Sequence, residues 1–230
     1  MQIVITHLTR MSAPRVCVAG LEQDTDANVR PIPRYGQLEA SDLRSRGGAF
    51  GLASPVELGE VVPRPSPPES EDVGFHLDHA EGSDPLSEDE FWALLQGSSE
   101  SSLTEIFGAG LIRDGQTASL ALGGGPRSLG HLRPRGELTL EHWFGKAKLH
   151  LTDADLGELR LPVTDLRLFN PETGELQEHL VGQLADRIVR YEAVLAVGLS
   201  RPWAPEDSQP PRHWLQVNNI HLDDNPLWLA

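Results

Sequence analysis

The chain has 230 residues, 39% of them hydrophobic, with 22 glycines, 18 prolines and a formal charge of −15. So much glycine and proline predicts many turns and short strands, and no apolar run approaches the roughly 20 residues of a membrane helix. The single cysteine, Cys17, excludes an internal disulfide, and with no leader-like N-terminus the expected location is cytoplasmic.

The acid is unevenly spread. Residues 51–110 hold thirteen acidic residues against one basic residue, whereas residues 1–50 and 111–150 are neutral to basic. An acidic total argues against phosphate binding, which needs Lys and Arg, but the basic flanks keep that chemistry open. Lys146 and Lys148 are the only lysines, and every other cation is an arginine.

In chain order, Gln2–Thr6, Arg15–Gly20 and Asn28–Ile32 read as strands. The segment Asp24–Asn28 is a turn between the last two, since Asp and Asn bond their own backbone there. Leu38–Gly48 reads as a short helix and loop, and Val56–Val62 as a fourth strand. Pro63–Ser70 is a stiff proline-rich connector. Ser87–Gly97 is the clearest short helix: Ser87 is the N-cap, Glu90 completes a capping box and Phe91, Leu94 and Leu95 form its apolar stripe. A weaker helix is expected at Ser101–Phe107.

Strand patterns resume at Thr117–Leu122 and Leu129–Arg133, which bracket Gly123–Arg127, expected to be a hairpin turn. Glu137–His142, Lys146–Thr152 and Glu158–Leu168 follow. Lys146–Leu151 alternates as a half-buried strand should, placing Lys146 and Lys148 outward and Ala147 and Leu149 inward. Leu176–Tyr191 is a helix with apolar residues at helical spacing. Val194–Ser200 and Trp214–Leu222 are the last strands, joined by a proline-rich loop over Ala204–Arg212. The expected fold is mainly β with a few helices: two tandem barrels, residues 1–65 and 111–230, the second carrying one long helix. An acidic, helix-containing connector at 66–110 joins them.

No catalytic motif stands out. The sequence lacks a Gly-X-Ser-X-Gly elbow, and Gly123–Ser128 lacks the Gly-Lys-Ser/Thr ending of a phosphate loop. His76, Asp78 and His79 have no partner pair at zinc spacing, and Asp153 with Asp155 reads as a strand-ending turn. Cys17, between two valines, reads as a buried, inert thiol. No catalytic residue, metal or cofactor is therefore expected. What remains is aromatic and basic: Arg133, Trp143 or Phe144, Lys146 and Lys148 in one stretch, a pattern suited to stacking bases and holding phosphates. Arg10, Arg15, Arg30 and Arg34 form a second cationic set, with Arg15 and Arg30 able to share one face if their strands pair. The leading expectation is a non-catalytic module that binds nucleic acid, single-stranded by preference. The alternative is a protein-interaction adaptor docking through exposed tryptophans and the acidic connector.

Several segments resemble the bacterial dual OB domain-containing protein family. They are Ile5–Met11, Arg15–Leu21, Val29–Pro31, Glu90–Trp92, Val197–Pro202 and Trp214–Leu222. The resemblance spans most of the chain. It implies two OB barrels and a role in nucleic-acid recognition within bacterial defence or conflict systems, and it brings no catalytic residue.

Overall fold

The computed structural model describes residues 1–205 and 210–229. The protein is mainly β, with 44% of residues in strands and 17% in helices, arranged as two curled half-barrel sheets. That is the expected class, and two tandem barrel-like lobes account for it.

The first sheet contains β1 (Gln2–Arg10), β2 (Val16–Glu22), β3 (Asn28–Pro33), β4 (Pro55–Glu57), β5 (Val62–Pro63), β6 (Asp72–Phe75) and β7 (Glu81–Gly82). Its order is β5-β6-β3-β2-β1-β4-β7. Residues beyond 65 therefore complete the first sheet: β6 runs parallel to β3, pairing Arg30 with Asp72 and Ile32 with Gly74. The single strand expected over Val56–Val62 is two short ones, broken at Gly59, whose φ of +68° suits glycine.

Next come α1 (Glu88–Gly97), β8 (Ser99–Glu100), α2 (Leu103–Phe107), β9 (Ile112–Asp114), β10 (Thr117–Ala121), β11 (Leu129–Leu132) and β12 (Arg135–Trp143). They are followed by β13 (Lys146–Asp153), β14 (Gly157–Val163), α3 (Glu178–Ile188), β15 (Ala193–Leu199) and β16 (Arg212–Leu222). The second sheet runs β12-β13-β14-β16-β15-β11-β8, with β10 also on β16 and β9 on β10. The expected hairpin around Gly123–Arg127 does not form, because β10 and β11 take different partners. The glycines instead let the loop lie on α2: a Cβ at Gly125 would meet Leu120 Cδ2 at 2.7 Å and Phe107 O at 2.8 Å. The strand expected over Glu158–Leu168 stops at Val163, and Leu166–Leu168 forms a 3-10 turn capped by Asp165. Within the expected Ala204–Arg212 loop, residues 206–209 lie outside the described residues.

Helix α1 is capped as its sequence demands, with Ser87 Oγ accepting from the Glu90 N–H and the Glu90 carboxylate accepting from the Ser87 N–H. Its Phe91 and Leu95 pack with Val4 and Ala53 of the first lobe and Val194 of the second, so it bridges the two.

Between the lobes lies a buried polar seam. A β-bulge after Ile5 changes the facing of β1. Ile3, Ile5 and Leu8 enter the first core, while the His7 ring meets His131 of the second lobe at 4.9 Å. Leu8 N–H donates to Asn219 Oδ1 at 2.7 Å, and His221 Nε2 lies 3.1 Å from Thr6 O. Fully buried Asp165 accepts from Arg167, Asn219 and the Ile220 N–H, so its charge is well compensated.

Three residues of the acidic block are spent on this seam. Glu71 accepts from the Ser128 backbone and hydroxyl, and Glu69 and Asp72 each pair with Arg201 at 3.0 Å. Cys17 is half-buried rather than sealed. Desolvation raises its thiol above the ordinary value, with Arg30 and Arg201 pulling the other way.

Candidate nucleic-acid interface

Strands β12, β13 and β14 form a three-stranded antiparallel surface at one margin of the second sheet. Leu138, Leu140, Ala147, Leu149, Leu151, Leu159 and Leu161 point into the core. Strand alternation turns the residues between them outward. Trp143 stands opposite Lys146, Glu141 opposite Lys148 and Thr139 opposite His150. On the far side His150 faces Arg160 and Lys148 faces Pro162. One outer face thus carries Trp143, Lys146, Lys148, His150, Arg160 and Glu141. The facing of Trp143, which the sequence pattern leaves open across Gly145, is outward with the lysines.

The hairpin tip adds a second aromatic. Phe144 and Gly145 form a two-residue connection between the paired Trp143 and Lys146, with φ of +46° and +70°. Such turns favour Asn-Gly, because a bulky residue at positive φ is strained. Phe144 nevertheless occupies this position 89% exposed, edge-on to Trp143 at 5.4 Å, and Trp143 itself is 69% exposed. Fold stability alone would favour neither placement. The two rings, Lys146, Lys148, Arg160 and Glu141 line a depression of about 420 Å³.

Glu141 sits among these cations. Hydrogen bonds from His150 and Arg160 hold its carboxyl below the usual carboxylate range. Both contacts fall on Oε1, with His150 Nε2 at 3.1 Å.

The remaining candidates lie elsewhere. Arg133 is exposed but donates to Gln96 O, beside α1, in a separate depression with Trp92 and Tyr191. Arg10 donates to Gly174 O and lies over the Phe169 ring at 4.5 Å. Arg15 is exposed, its backbone bridged to Glu39. Arg30 is buried, bonded through Nε to Asp72 Oδ1 at 2.6 Å, so Arg15 and Arg30 offer no common open surface. Arg34 is half-buried beside exposed Tyr35 and His76. Sequence reasoning missed Arg160 and offered Phe144 only as an alternative to Trp143. The alternation of Glu158–Val163 already places Arg160 outward, opposite Leu159 and Leu161. No local signal singles out Phe144 as solvent-facing.

Among the described residues no group of three or more His, Cys, Asp or Glu is gathered to hold a metal, and no helix is long and apolar enough to cross a membrane. The fold and this face define a two-lobed, mainly β protein with an exposed aromatic and cationic sheet surface. No protein-family model matches the chain, and no curated protein matches it either.

Proposed function

We propose that this protein is a non-catalytic module that binds single-stranded nucleic acid on the outer face of β12, β13 and β14. The observation that carries the reading is one of placement. A chain of net charge −15 has only two lysines, and both lie on one face with Arg160 and two largely exposed aromatic rings. Bases offer π-faces to such rings and the backbone offers phosphates to such cations. A duplex hides its base faces, so exposed rings favour a single strand.

Two small curled barrels suit the OB fold, which commonly presents a sheet face to oligonucleotides. With the dual-OB resemblance, the proposal extends to cytoplasmic nucleic-acid sensing in a bacterial defence system. The test is fluorescence anisotropy with single-stranded DNA, RNA and duplex probes across a salt series. Binding to single strands that weakens steeply with salt supports the reading; no binding to any probe at low salt overturns it.

A second reading, a protein-interaction adaptor, draws on Trp203, which is 51% exposed and packed on Trp214 at 5.7 Å. It gains less from the acidic connector, since Glu69, Glu71 and Asp72 are occupied internally. An apolar interface would tolerate salt where phosphate binding would not.

A further inference from the structure

We infer that Glu141 reads guanine in the bound strand, an inference that rests on the binding face proposed above. An anion in the middle of a phosphate-binding face repels the ligand's backbone unless it meets something else on that ligand. Glu141 lies two residues from Trp143 on β12, so both side chains leave the same face about 7 Å apart. A base stacked on Trp143 would extend its edge toward that carboxylate.

Glu141 is also held ready. Arg160 bonds Oε1, His150 Nε2 lies 3.1 Å from the same oxygen, and among the described residues Oε2 has no protein hydrogen bond. A carboxyl held below the usual carboxylate range is ionised at neutral pH. An ionised carboxylate accepts hydrogen bonds and donates none.

The bases differ in what they offer such a group. The Watson–Crick edge of guanine presents two adjacent donors, N1–H and the N2 amino group, which match one carboxylate. Adenine and cytosine present one amino group beside a ring nitrogen acceptor. Thymine and uracil present a single N3–H between two carbonyl oxygens, both of which repel the carboxylate. An acceptor-only group beside a stacking ring therefore selects guanine and disfavours thymine and uracil. Single-stranded bases are open to such edge readout.

The experiment uses the full chain and three single-stranded DNA probes of about 12 nucleotides. One is all thymine, one carries isolated guanines in a thymine background, and one replaces each guanine by inosine, which lacks the N2 amino group. The parent protein should bind the guanine probe about tenfold more tightly than the thymine probe, with inosine between them. Glu141→Gln should bring guanine and thymine within about twofold of each other while thymine binding holds or rises, since a repulsive charge is gone. Equal affinity of the parent for guanine and thymine overturns the inference and leaves single-strand binding standing. A guanine preference that survives in Glu141→Gln, with an unchanged melting temperature, overturns the assignment to this residue. Failure to bind any of the three, or their RNA counterparts, overturns the binding face itself.

Discussion

Arg30 and Asp72 stand opposite each other on parallel strands, Nε to Oδ1 at 2.6 Å, with both side chains almost wholly buried. Asp72 Oδ2 meanwhile accepts from Arg201, so one carboxylate ties β3 to β6 and the first lobe to the second. Arg30→Ala would leave that buried carboxylate short of a partner, a change that costs about 3–5 kcal/mol in comparable pairs. We predict a large drop in the urea midpoint for this variant. A parent-like midpoint would show that the Arg30–Asp72 pair contributes little to stability.

Trp143 is largely exposed, so its removal should affect binding far more than stability. Trp143→Ala should lose about 1–3 kcal/mol of single-strand affinity with little change in melting temperature. The double change Lys146→Ala and Lys148→Ala should reduce the slope of log affinity against log salt by about 1.4, two phosphate contacts at about 0.7 each. Titrations of each folded variant at four or five salt concentrations read both effects. Parent-like affinity in both variants would discard this face.

Phe144 separates turn chemistry from ligand chemistry. Its φ of +46° is one that Asn adopts more readily. Phe144→Asn should raise stability by about 1 kcal/mol and at the same time weaken single-strand binding. Calorimetry and anisotropy on the same preparation would show the two moving in opposite directions. Loss of stability would mean the ring is held by contacts that outweigh the turn preference.

The seam histidines predict a specific acid response. Burial holds His7 down to about 3 and His221 to about 4, and it lowers His131 well below the ordinary value. Charge on His221 adds to the pressure on His7, and Arg167 adds to that on His221, with Asp165 pulling the other way. All three are therefore neutral in the fold, whereas the unfolded chain titrates them near 6.5. The unfolded state takes up protons first as pH falls, so their contribution is intact above about 6.5 and is lost from there down through about 4 for His221 and about 3 for His7. By pH 5 the loss should be on the order of 4 kcal/mol for His7 and His221 together. Glu57, Glu90, Glu105, Glu141 and Asp155 are held below their ordinary values, so their protonation begins lower. A urea midpoint that stays level from pH 7 to pH 5 would contradict this account.

What the sequence reveals follows the range of the interactions. The alternation through Lys146–Leu151, the capping box of α1 and the amphipathic spacing of α3 are local, and each predicts its element to within a few residues. The lysine face follows from the same alternation. Strand β6 is opaque because Asp72-Val73-Gly74-Phe75 is buried on both sides and shows no alternation. The role of Arg30 is opaque for a related reason: its partner lies 42 residues away, and a basic residue near other arginines looks like a phosphate ligand until that carboxylate is placed. Gly123–Arg127 has the composition of a hairpin turn, yet where its flanking strands pair is decided by β15 and β16, far along the chain.

The docking of β1 against β16 bears on how the protein is made. The ribosome releases β1 long before β16 exists, so the emerging first lobe carries the groups Thr6, His7 and Leu8 N–H with their eventual partners still unsynthesised. Contacts that join the two ends of a chain close slowly, and exposed strand surface in the interim invites association between nascent copies. The polar character of that strand segment, with a threonine hydroxyl and an imidazole where a dry interface would use valines, keeps the half-made lobe wettable until its partner strand arrives.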